Sequence, residues 1–171
     1  AAIGQALGDL AWGMSKDQVV EHFTKVIRSK HDKAIREARD AIRADDERVR
    51  MDQELQRFLG SHVEFTGQVT GYETHFLRDE FTAGNGEELL KFRDGNSENY
   101  YFFIQGKLWK YYKAFDASVF GGRSFEEFAA ALQQRFGSAV ERRGPLQEGG
   151  ENRRWLEWTD PSGRTLARAL E

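Results

Sequence analysis

The chain contains no cysteine. That absence excludes a disulfide framework, thiolate catalysis, Cys-ligated zinc and iron–sulfur clusters. It suits a reducing cytosol or an exported protein that does without disulfides. Proline occurs twice, at Pro145 and Pro161. No apolar run approaches the roughly 18 residues that a membrane span needs. Neither sign of charge dominates: 25 Lys and Arg face 28 Asp and Glu, for a net charge of −3. A clustered basic surplus for a nucleic-acid backbone is therefore missing. What the 171 residues do hold is core material, with 13 Phe, 5 Tyr and 4 Trp. Whole-chain disorder is thereby excluded, and the length suits one domain or two small ones.

The first ordered signal is Gly13-Met14-Ser15-Lys16-Asp17-Gln18. Ser15 and Gln18 have the spacing of a capping box, and Asp17 puts negative charge where the helix dipole favours it. Val19, Val20, Phe23, Val26 and Ile27 follow at helical spacing, predicting a helix over 16–28. Ser29 and Asp32 offer a second cap. From Lys30 to Leu59 the chain is dense in charge and free of Gly and Pro, with a narrow apolar stripe that includes Ile35, Ile42 and Val49. This stretch is expected to form a long charged helix, or a helical hairpin, ended by Gly60.

Beyond Gly60 the pattern turns to strand. His62–Thr66 alternates, Gln68–Tyr72 continues after a bend at Gly67, and Thr74–Phe81 reads as a return strand. Glu88–Arg93 follows, closed by the hairpin signal Asp94-Gly95-Asn96. Asn99–Gln105 and Lys107–Ala114, hinged at Gly106, are the clearest strands. Ser124 with Glu127 then repeats the capping-box spacing, ahead of Phe128, Leu132 and Phe136 and a stop at Gly137. Residues 138–150 read as loop, and Trp155–Trp158 and Arg164–Ala167 flank a Pro161–Gly163 turn. The expected fold is α+β: an antiparallel meander packed by capped amphipathic helices, in possible tandem units, with a long charged helical insertion. The expected division is 1–120 and 121–171.

Ser15 and Ser124, Phe23 and Leu132, and Ile27 and Phe136 share one register of 109 residues. Two copies of a helix-then-sheet unit, the second abbreviated, would produce it. The motif of Gly13, Met14, Ser15, Gln18 and Val19, leading into an amphipathic helix and a meander, resembles the BamE (SmpA/OmlA) family of small outer-membrane lipoproteins. It is also similar to the β-lactamase-inhibitor protein family, which uses a related helix-and-sheet unit twice. The charged stretch from Lys30 to Leu59 is longer than the second helix of those families. The resemblance implies an exported, non-enzymatic binding module, periplasmic or associated with the outer membrane. The chain opens Ala1-Ala2-Ile3-Gly4, so any signal or lipid-bearing cysteine is expected upstream of Ala1.

Residues for chemistry do not converge. His22, His31, His62 and His75 show no metal-ligand spacing, and His22 and His31 lie about 2.5 turns apart, on opposite faces of an ideal helix. His62 and His75 can meet across a hairpin. Asp79-Glu80 and Glu87-Glu88 are adjacent carboxylates, which a strand sends to opposite faces. Glu64 and Glu73 are candidates to face inward. There is no nucleophile elbow or phosphate-binding glycine loop. The sequence therefore predicts no enzyme, no metal and no cofactor.

The densest aromatic stretch is Tyr100–Phe115. Alternation places Tyr100, Phe102 and Ile104 on one face and Tyr101 and Phe103 on the other; it splits the partner strand into Leu108 and Tyr112 against Trp109, Tyr111, Lys113 and Phe115. Two aromatic faces fit either a strand pair buried on both sides or an exposed face that grips a partner. The expected function is binding of another protein at the cell envelope through Tyr101, Phe103, Trp109, Tyr111 and Lys113, with nucleic acid disfavoured. Two alternatives stand: a ligand-binding protein or enzyme with a pocket between sheet and helices, using His62 or His75, and a scaffold that binds through the long charged helix.

Overall fold

Ser15 caps the first helix by accepting from the Gln18 amide, and the Gln18 side chain returns the bond to the Ser15 amide at 2.9 Å. The computed structural model describes residues 2–146 and 148–171. Among these described residues the fold is α+β, with three α-helices and two antiparallel sheets. The chain forms two compact units, one of Asp9–Asp116 and the other of the segment up to Gly8 with Ala117–Glu171.

In the first unit, α1 spans Lys16–Arg36 and α2 spans Ala41–Leu59. Helix α1 runs past the expected end at 28, straight through Ser29 and Asp32, which cap nothing. The cap that acts is Asp40, whose carboxylate accepts from the Arg43 amide. The charged stretch is thus no single helix: its first residues complete α1 and the rest forms α2. Val19, Phe23, Ile27 and His31 are buried at every fourth position of α1, and Leu55 and Phe58 are buried on α2. Ile42 and Val49 of the predicted stripe are exposed.

Four strands follow in the order β1-β2-β3-β4: Val63–Glu64, Glu87–Asp94, Ser97–Ile104 and Lys107–Phe115. Both hairpin signals work. The turn between β3 and β4 takes positive φ at Gln105 (48°) and Gly106 (77°), the mirror-image turn whose twist suits flanking strands. One sheet face lies under the helices, where the Phe23 ring stacks on Phe92 at 4.2 Å and touches Tyr101 and Phe58. These rings occupy the layer in which the sequence allowed a ligand pocket.

The other face is covered by the segment between β1 and β2. Phe65 stacks on Phe81 at 3.9 Å, and both join Leu77, Leu89, Tyr100 and Phe102 in one core. This segment corrects the predicted strands at 68–72 and 74–81. Gly67 and Gly71 take φ of 97° and 92°, which ends extended backbone, and the Glu73 carboxylate accepts from the Thr70 and Gly71 amides to fix a turn. The covering layer is irregular chain carrying aromatic side chains.

In the second unit, α3 (Phe125–Phe136) has the predicted capping box of Ser124 and Glu127. The sheet is β5-β6-β7: Val140–Pro145, Asn152–Thr159 and Thr165–Leu170. Phe125, Phe128, Leu132 and Phe136 pack on Leu156, Trp158 and Ala169, and the Trp158 indole donates to the Gly137 carbonyl at 2.9 Å. Strand β5 corrects the loop expected over 138–150. Asp160 organises the β6–β7 turn, accepting from the Ser162 hydroxyl and from the Ser162 and Arg164 amides, which push its carboxyl down to about 2.

Candidate functional site

The five predicted contact residues depend on how β3 and β4 pair. From Ser97↔Phe115 to Phe102↔Lys110 the register is regular; then Phe103 pairs with Leu108, leaving Trp109 as the extra residue of a β-bulge. One inserted residue reverses the parity of everything beyond it. Leu108 therefore shares the face of Phe103, Tyr101 and Tyr111, where alternation had set it against Tyr111. Lys110 lies over two rings, 4.8 Å from the centre of Trp109 and 4.7 Å from that of Phe102. It also donates to the Glu80 backbone carbonyl and meets the Glu80 carboxylate at 3.3 Å.

The candidates consequently separate. Phe103 is fully buried and Tyr101 is 6% exposed, so neither can present a surface. Tyr111 is half-buried, stacked on Tyr101 at 5.1 Å, and donates its hydroxyl to Asn99. Burial, with the Asp94 charge nearby, pushes its phenol up to about 12. Lys113 is exposed, its ammonium over the Phe115 ring at 5.0 Å. Trp109 is 44% exposed. Of the five, Trp109 and Lys113 are thus the exposed ones, while Tyr111 is held by Tyr101 and Asn99. Next to Trp109, the Gly13 amide donates to the Leu108 carbonyl and the Leu108 amide to the Met14 carbonyl. This pairing places exposed Trp12 in the segment beside the bulge.

The histidines are dispersed in role. His75 packs among the rings of Tyr72, Phe76 and Tyr100, and burial, with the Lys91 charge second, lowers its pKa. His62 keeps different company: its Nε2 lies 2.8 Å from a Glu88 carboxylate oxygen, with Glu64 alongside. Glu64 is exposed; Glu73 belongs to the turn described above. Glu87 and Glu88 do point apart, Glu87 being buried and accepting from the Thr82 amide.

His31, to which the sequence assigned no role beyond lying opposite His22, is a buried residue of α1. It is 6% exposed, with Nδ1 2.6 Å from Glu47 and Nε2 2.5 Å from Glu54, both on α2. Burial depresses its pKa, but the hydrogen bonds to Glu54 and Glu47 and their charges outweigh that, and the net shift is upward. Two carboxylate acceptors call for a proton on both nitrogens. The signal was present in the i, i+4 series Val19, Phe23, Ile27, His31. In the second unit, a cleft of about 360 Å³ is lined by Val119, Phe120, Arg123, Glu127, Phe128 and Ala131. No helix is long and apolar enough to cross a membrane among the described residues. Compared with protein-family models, curated proteins and solved structures, the chain finds no match in any of the three.

Proposed function

We propose that the chain is a non-enzymatic module that binds another protein through the β4 surface around Trp109, and that it acts at the cell envelope. The observation that carries the binding surface is the bulge. It leaves a large indole 44% exposed on the terminal strand of a sheet whose other central aromatics are consumed by packing. Trp with neighbouring Lys at a rigid, half-covered position is the composition of an interface anchor. Strand β4 ends the sheet order β1-β2-β3-β4, but its backbone beside Trp109 is already paired with Gly13 and Met14, so the surface offers side chains rather than a free strand edge.

The non-enzymatic reading draws support from the employment of the carboxylates. Glu47 and Glu54 hold His31, Glu73 and Asp160 organise turns, and Glu157 pairs with Arg168. The envelope reading rests on the BamE-like motif at Gly13–Val19, and the order helix, helix, meander in the first unit is in keeping with it. A helix followed by antiparallel strands in both units likewise supports duplication.

The test is capture from an envelope extract, comparing wild type with Trp109→Ala after thermal melts show the two to be equally stable. A central Trp anchor contributes about 2 kcal/mol or more, roughly a 30-fold loss of affinity on truncation. A protein held by wild type and lost with the variant supports the surface. Identical capture by both removes Trp109 from the interface.

A further inference from the structure

We propose that His62, Glu64 and Glu88 bind a divalent transition-metal ion, with Zn²⁺ the ion that best suits the donors. His62 and Glu64 are two residues apart at the start of the sheet, so extended backbone sends both side chains to one face. Glu88 comes to the same place from the neighbouring strand, because β1 pairs with β2 as Glu64↔Glu88. Directly opposite residues in an antiparallel pair have adjacent Cβ atoms, and like charges there repel.

Two facts make this arrangement more than surface acidity. Among the described residues, neither Glu64 nor Glu88 forms an ion pair with Lys or Arg, and Glu88 meets the His62 imidazole at 2.8 Å. Moreover, one ligating atom from each of the three lies within 4.8 Å of the other two. Zn–N and Zn–O bonds of about 2.0–2.2 Å set ligand atoms about 3.4 Å apart in a tetrahedron. The His62–Glu88 separation of 2.8 Å need only open slightly, and exposed Glu64 can swing inward. The fourth position falls to water. One imidazole with two carboxylates favours Zn²⁺ over Mg²⁺ and Ca²⁺, which prefer all-oxygen shells.

The framework under the ligands is fixed. Leu89 and Phe103, neighbours of Glu88 along and across the sheet, are fully buried, and the Phe65 amide donates to the Glu87 carbonyl at 3.0 Å. Strand β1 has two residues, so an ion bridging Glu64 and Glu88 would also fasten it to β2. Metal bound to the folded chain alone raises its melting temperature by mass action.

The experiment titrates Zn²⁺ into the full, tag-free, metal-stripped chain by calorimetry at pH 7.5, with Co²⁺ absorption reporting coordination and Mg²⁺ as contrast. The expected result is one Zn²⁺ per chain with micromolar affinity and a higher melting temperature. Glu64→Gln, at an exposed position, should keep the fold and weaken Zn²⁺ at least about tenfold; His62→Gln should abolish the site. Absence of saturable binding up to about 1 mM Zn²⁺, near the weakest affinity worth calling a site, overturns the proposal. So does a Zn²⁺ affinity left unchanged by both substitutions.

Discussion

Replacing His31 should release α2 from α1, and the effect should depend on pH in a direction the structure fixes. The imidazole is held between Glu47 and Glu54, with Lys30 also on Glu54 at 3.0 Å and Arg50 on Glu47 at 3.4 Å. Breaking a buried pair by removing one partner costs about 3–5 kcal/mol. Here each carboxylate keeps some solvent, at 19% side-chain exposure, and one remaining cation. The loss for His31→Gln should therefore be about 2–3 kcal/mol, nearer the value of one or two charge-assisted hydrogen bonds.

The sign follows from linkage. The folded pKa of His31 lies above its ordinary 6.5, so its contribution is complete below 6.5 and disappears as pH rises through the folded pKa. For Glu54, burial raises the pKa, but the bonds from His31 and Lys30 prevail and hold it below 4.5. Its contribution is complete above 4.5 and disappears as pH falls through the folded value. The clamp is thus fully formed between about 4.5 and 6.5. Urea unfolding of wild type and His31→Gln, followed by helix circular dichroism, should show the widest gap near pH 5.5 and a narrower one near pH 9. A gap that stays constant across that range would refute an imidazolium between the two carboxylates.

Further outcomes follow from the sheet and the caps. Phe103→Ala empties a fully buried site and should cost about 3–5 kcal/mol in denaturant unfolding, whereas Trp109→Ala, on the exposed bulge, should cost under about 1 kcal/mol. Equal losses would mean that the bulge is misplaced. Ser15→Ala removes the acceptor for the Gln18 amide and should cost about 1 kcal/mol, which Ser15→Asp should restore. Unchanged stability in Ser15→Ala would leave the capping box without energetic weight.

Those caps were legible because their chemistry is local: the Ser hydroxyl and the Gln or Glu side chain three residues on each accept from the other residue's backbone amide, whatever the rest of the chain does. The strand pairs 87–94, 97–104 and 107–115 were legible for a similar reason, since Gly95 and Gln105-Gly106 set tight turns between alternating runs. Strand β5 was hidden because Glu141, Arg142 and Arg143 are exposed and carry no apolar alternation. The meeting of Glu64 with Glu88, and of His31 with Glu47 and Glu54, depends on which segment folds back on which, and no local spacing states that.

The bulge shows most directly why a site can be misread when its fold is read correctly. Alternation assigns faces by counting residues from one end of a strand, so a single extra residue inverts every assignment beyond it. Here the inversion lies between Lys110 and Leu108, inside the predicted site. It brings Leu108 into the buried face with Phe103, to which it is suited, and leaves Trp109 beside Lys110. Had the register run on without the bulge, Phe103 would have paired with Trp109, placing an indole among Tyr101, Tyr111 and the helices. Helix α1 already fills that layer with Phe23, stacked on Phe92 and in contact with Tyr101 and Phe58. A second large ring there would overpack a core already dense with Phe. The bulge thus resolves the competition between two large aromatic groups for one buried layer, and the group it turns away is the exposed Trp on which the proposed interface rests.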